Sequence, residues 1–177
     1  MEQISRERLV AALRAEGIRF LAGADISDDL PPRELIMGLA SHSDPRLRSA
    51  LTALFLAHPE FAAEVARVLS IVDHSAAIEL QARYMAAVYL QRLWRTRLSY
   101  YLGDYATLPD LFSRAMGLPR PDEHFGKLGL VELAEWHAQH AERTPAFNWL
   151  AAYQKIAEQY FGQLHAEAQT NEHATAS

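Results

Sequence analysis

The chain of 177 residues contains no cysteine. Disulfides, thiolate-bound zinc, iron–sulfur clusters and cysteine nucleophiles are thereby excluded. Side chains branched at Cβ are scarce. Valine, isoleucine and threonine together number 19, against 54 alanines and leucines. Alanine and leucine lose little freedom on entering a helix, whereas β-branched residues are stiff there and favour strands. That ratio points to an all-α protein before any periodicity is considered. No apolar run approaches the ~20 residues that a membrane-spanning helix needs. The stretch Met1 to Arg8 is polar and charged, without the apolar core of a signal peptide. A cytoplasmic location is expected, and richness in alanine with absent cysteine suits a bacterial-type protein. No Gly-x-Ser-x-Gly elbow and no glycine-rich phosphate loop occurs.

What is present is enough apolar material for one real core. Hydrophobic residues make up 50% of the chain, which sets it apart from disordered sequences. The net charge of −5 is unevenly spread. Residues 1–79 hold 8 basic and 12 acidic side chains, residues 80–120 hold 6 and 2, and residues 121–177 hold 3 and 8. A basic middle thus lies between two acidic ends. Either the middle is neutralised by packing against its acidic neighbours, or it forms a basic strip for an acidic partner or nucleic acid.

Helical patterns recur along the chain. Ser5 precedes a helix with Leu9, Val10 and Leu13 inward, and Gly17 closes it. Ile18, Phe20 and Leu21 form a short apolar segment before an acidic turn at Asp25, Asp28 and Asp29. Pro31 and Pro32 open a second helix. Ser43-Asp44-Pro45 caps a third. Beyond His58-Pro59 the pattern runs on to about Val72. From Asp73 to Gly103 neither proline nor internal glycine interrupts the chain, which predicts one long central helix. Thr107-Leu108-Pro109 starts a short helix, and residues 118–129 read as an ordered surface loop held by Leu118, Phe125 and Leu128. A helix carrying Trp136 and a last one capped by Thr144-Pro145 complete the pattern. The long central helix and the last helix are expected to form the main antiparallel layer. The reading is a compact all-α bundle of six or seven helices over residues 1–168, with a disordered polar tail over 169–177.

The segment Asp44-Pro45-Arg46-Leu47-Arg48-Ser49-Ala50-Leu51 places a turn aspartate before a proline, an arginine and a start rich in small residues. With the helix before it, from Pro32 to Ala57, it resembles a HEAT-type helical hairpin. Only one copy is present, so a compact bundle is expected in place of a solenoid.

Chemistry-bearing residues are few. His137 and His140 lie three apart on one helix, with Glu132 and Glu135 nearby, and solvated or interface-facing histidines are expected there. No Glu-x-x-His occurs, which argues against a ferritin-like di-iron bundle. No metal and no cofactor is expected. Asp25, Asp28 and Asp29 read as a solvated turn at a helix N-terminus. Arg67 and His74, separated by six residues, resemble the Arg-x(4–6)-His pattern of HEPN-type ribonucleases, which are also small helical bundles. That resemblance implies an RNA-acting enzyme or toxin–antitoxin component. Arg67 would steady the scissile phosphate and His74 would act in acid–base chemistry. The plainer alternative makes His74 part of a helix cap and Arg67 a surface residue.

The strongest signal is the strip of Arg83, Tyr89, Arg92, Trp94, Arg95, Arg97 and Tyr100 on the long helix. Arginine, tryptophan and tyrosine are the residues enriched at interface hot spots. The sequence pI of 5.9 weighs against a large phosphate footprint. The expectation is a non-enzymatic adaptor or accessory subunit that binds another protein through this strip, with self-association, and binds neither nucleic acid nor membrane. A small-ligand pocket lined by Trp94, Trp136 or Trp149 is a further reading.

Overall fold

Helix starts in this chain follow from local chemistry. The side chains of Ser5, Asp44, Asp73 and Asn148 accept hydrogen bonds from the backbone N–H groups of Arg8, Arg46, Ala76 and Ala151. Each satisfies a donor that a helix N-terminus leaves orphaned. Pro32 and Pro45 occupy first-turn positions, where a missing N–H costs nothing. The computed structural model describes residues 3–141 and 147–176. Among these the elements are α1 (Arg6–Ala15), α2 (Pro32–Ser41), α3 (Pro45–Ala57), α4 (Ala62–Leu69), α5 (His74–Leu93), α6 (Arg95–Leu102), α7 (Ser113–Met116), α8 (Lys127–His140) and α9 (Trp149–Thr175). Single 3-10 turns lie at Pro59–Phe61 and Glu123–Gly126, and no strand occurs among the described residues. The protein is all-helical, as its composition implied. Among the described residues nine α-helices stand where six or seven were expected.

α5 is the hub. It is buried on nearly all sides from Ala76 to Gln91, and it packs mainly on α3 and α8. α3 in turn touches α2 and α9. The main layer is therefore α3–α5–α8, in place of the expected pairing of α5 with α9. The reason lies in α3, whose Ala50, Leu51, Ala53, Leu54 and Phe55 are all buried and fill the space between α5 and α9. Each such leucine contributes about 1.5–3 kcal/mol through burial.

Three further differences bear on function. The long helix is interrupted at Trp94, whose backbone leaves the helical region (φ −107°, ψ 23°). Its indole turns toward Phe161 of α9, with ring centroids 5.9 Å apart. α9 continues as helix to Thr175, through the segment read as a polar tail, with residues 169–175 all exposed. The cap expected at Thr144-Pro145 falls outside the described residues, and Asn148 caps the described helix.

Of the three anchors expected for the connection at 118–129, Leu118 packs against the core. Phe125 is 80% exposed and anchors nothing. A further anchor is Tyr89 of α5, whose hydroxyl donates to the Pro119 carbonyl at 2.7 Å. A Cβ at Gly129 would clash with the Tyr89 ring at its Cε1, and one at Gly126 would meet the Tyr89 backbone. α8 thus approaches α5 closely enough to begin at Lys127, two residues before the expected end of the loop.

Candidate functional site

Glu79 and Arg83 are one turn apart on α5, and both are buried. An ion pair in that position is costly to desolvate and needs further partners. Arg83 Nε lies 3.3 Å from Glu79 Oε2. Arg48 Nη1, from α3, comes to 4.0 Å of Oε1, and His137 Nε2, from α8, to 3.4 Å of the same oxygen. On its far side His137 Nδ1 is 2.6 Å from the Tyr153 hydroxyl of α9. The carboxylate can only accept, so the imidazole nitrogen facing it carries the proton and Nδ1 accepts from Tyr153. The His137 ring stacks on Trp149 at 3.6 Å, and the Arg83 guanidinium lies over Trp149 and Tyr153 at 5.3 and 5.6 Å. Three helices thus meet at one carboxylate, and α9 joins them through His137.

Electrostatics set the charge states. Burial alone would raise the Glu79 carboxyl, but its contact with His137 and the charges of Arg83, His137 and Arg48 outweigh it and bring it down to about 2. Burial pushes His137 below its ordinary value, helped by Arg83 and Arg48 and opposed by Glu79. At neutral pH the cluster holds Glu79 ionised and His137 neutral. His137 Nε2, Arg83 Nη1 and Arg48 Nε make no well-aligned hydrogen bond. The chain of carboxylate, imidazole and hydroxyl has the order of an acid–base relay. Yet Glu79, Arg83, His137 and Tyr153 are all buried, so the relay reaches no solvent-facing atom. We read it as an internal lock that sets how α3, α5, α8 and α9 meet.

The arginine and aromatic strip divides in two. Arg83 and Tyr89 belong to the interior and offer nothing to a partner, because α5 is enclosed over that length. Arg92 is half-buried, with Nε 3.4 Å from Asp122 and Nη1 bonded to the Gln91 side chain and the Val88 carbonyl. Beyond the break, Trp94 (38% exposed) and Tyr100 (75% exposed) reach the surface together with Arg95 and Arg97. The Arg97 guanidinium lies over Phe161 at 4.5 Å and near Trp94 at 6.0 Å. Neither Arg95 nor Arg97 has a carboxylate within ion-pair distance among the described residues. Two shallow cavities flank α6. One of about 220 Å³ is lined by Trp94, Arg97 and Phe161, and one of about 310 Å³ by Arg92, Arg95 and Ser99.

Comparison with protein-family models, curated proteins and solved structures finds no match for this chain.

The other sequence candidates are dispersed. Arg67, on α4, is exposed and paired with Glu64 one turn away at 3.1 Å, while His74 is exposed at the first position of α5. His137 is buried, contrary to the expectation of a solvated or interface-facing pair. Its neighbour His140 is exposed and stacks on Trp136 at 4.1 Å. Asp25 and Asp28 are spent on Arg14 and Arg8 at 3.4 and 2.8 Å. Among the described residues no three histidine or carboxylate groups converge as a metal ion requires, and no helix is long and apolar enough to cross a membrane. Of the three tryptophans, Trp94 lines the cavity of about 220 Å³, while Trp136 stacks on His140 and Trp149 on His137. Sequence reasoning missed the Glu79 cluster. Its signal was present: an acid and a base at i, i+4 inside a helix with apolar residues almost all round.

Proposed function

We propose that this protein is a non-enzymatic interaction module, an adaptor or accessory subunit, that binds another protein through the face formed by Trp94, Arg95, Arg97 and Tyr100. One observation carries the reading. Two large aromatic side chains are held at the surface beside two guanidinium groups that have no carboxylate partner among the described residues. Burying such groups against a partner releases water from aromatic surface and gives each guanidinium a place to pair. Arg97 is preorganised by its stacking on Phe161, which lowers the entropy lost on binding. The hairpin of α2 and α3, with its resemblance to a HEAT unit, agrees with a scaffolding role in the cytoplasm.

The test is affinity capture of the tagged protein from its native host, with the wild type and two folded variants, Trp94→Ala and Arg97→Glu. One stoichiometric protein partner, weakened about 30-fold or more by either variant, is the expected result, since hot-spot truncations cost about 2 kcal/mol or more. A partner retained undiminished by both variants would refute the assignment of this face. Recovery of RNA in place of protein would return attention to Arg67 and His74.

A further inference from the structure

On another face of the molecule, the loop after α1, the start of α3 and the middle of α9 enclose a cleft of about 390 Å³. That volume falls in the range of small-molecule sites, roughly 300–1,000 Å³. Phe20 and Leu21 from the loop and Ile156 from α9 give it apolar walls. Arg6, Arg46 and Lys155 also line it, and among the described lining residues there is no carboxylate.

The three cations are not equally committed. Arg6 Nε lies 3.2 Å from Asp44, and its Nη2 is 3.4 Å from the Ala22 carbonyl. Arg46 and Lys155 are exposed and make no ion-pair contact with a described residue. Asp44, the cap of α3, is the carboxylate that Arg6 and Arg46 act on. Burial would raise its carboxyl, but the Arg46 backbone N–H, the Arg6 hydrogen bond and the charges of Arg6 and Arg46 hold it below its ordinary value. Asp44 is thus already spent on the helix cap and on Arg6. Three cations meet one occupied carboxylate beside an apolar wall, so the cleft favours a ligand that is anionic at one end and apolar over the rest.

We propose that this cleft binds a small amphipathic anion, an organic carboxylic acid with an aliphatic or aromatic body. The carboxylate sits between Arg46 and Lys155, and the body lies on Phe20, Leu21 and Ile156. Nothing in this arrangement depends on the α6 face, so the site and the interaction module stand or fall separately.

Decanoate and decanol, titrated calorimetrically below the micelle concentration at low salt, provide the test. Decanoate is expected to bind at one site per chain, and decanol about tenfold more weakly. The double variant Arg46→Glu, Lys155→Glu is expected to weaken decanoate about tenfold or more and leave decanol unchanged, since both cations that face the carboxylate become like charges. Both side chains are exposed and the cap at Arg46 uses only its backbone, so the variant keeps its fold, which far-ultraviolet circular dichroism verifies. Absence of saturable decanoate binding, decanol binding as tightly as decanoate, or an undiminished decanoate affinity in the double variant would each overturn the proposal.

Discussion

Replacing Glu79 by glutamine keeps its shape and removes its charge, and so isolates what the buried cluster contributes. Arg83 would then stay buried, 2% exposed, without its counter-charge. Breaking a buried pair from one side is expected to cost about 3 kcal/mol. Urea denaturation should show Glu79→Gln with a lower midpoint and an unchanged slope. Removing both charges with Glu79→Leu and Arg83→Met should recover most of that loss, since apolar residues of similar volume often replace buried pairs without penalty. An additive pair of effects would contradict the lock assigned to this cluster. At this scale the sequence was half legible. Glu79 and Arg83 stand in plain view at helical spacing, but Arg48, His137 and Tyr153 come from three other helices, and no local pattern ties them to that carboxylate. The strip of arginines and aromatics divides in two for the same reason. Arg83 and Arg97 look alike in sequence, and only the packing of α3 and α8 shows that the first is interior.

Helix starts were readable because they are local: Ser5, Asp44, Asp73 and the prolines at 32 and 45 act on residues within one turn. What was not readable depended on distant contacts. The break at Trp94 accompanies the meeting of its indole with Phe161, and the start of α8 accompanies the seating of Tyr89. Two glycine substitutions separate these kinds of control. Gly129→Ala drives a methyl group into the Tyr89 ring, which its Pro119 hydrogen bond and full burial hold in place. A cost of about 1–3 kcal/mol is expected, the range for overpacking. Gly162→Ala, inside α9 with nothing within 4 Å of the new methyl, should stabilise by about 0.5–1 kcal/mol. Thermal melts of the two variants should move in opposite directions, and a shift of both in one direction would contradict the close approach of α8 to α5.

For the molecule as a whole, the interior groups set where in pH the fold is strongest. An unfolded His137 takes a proton near 6.5, whereas the buried native one stays neutral to lower pH. The unfolded chain therefore binds more protons, and stability falls as pH drops through 6.5. Glu79 acts in the same direction further down. Its contribution is complete above 4.5 and is lost as pH falls toward about 2. Burial raises the hydroxyls of Tyr84, Tyr89, Tyr153 and Tyr160 above their ordinary value of 10, so the unfolded chain loses protons first and stability falls in strong alkali. Urea midpoints should form a plateau from about pH 7 to about pH 9 with losses on both sides. His137→Gln should lie lower throughout but decline less between pH 7 and pH 5. The stacking of Trp149 on His137 also has an optical consequence. An imidazolium quenches an excited indole more strongly than a neutral imidazole does. In a Trp136→Phe background, the blue emission of sheltered Trp149 should dim as His137 gains its proton, while Trp94 at the surface keeps its redder light. One spectrum then reads the interior and the outer face separately, and a protein settling on Trp94 shifts the red component alone.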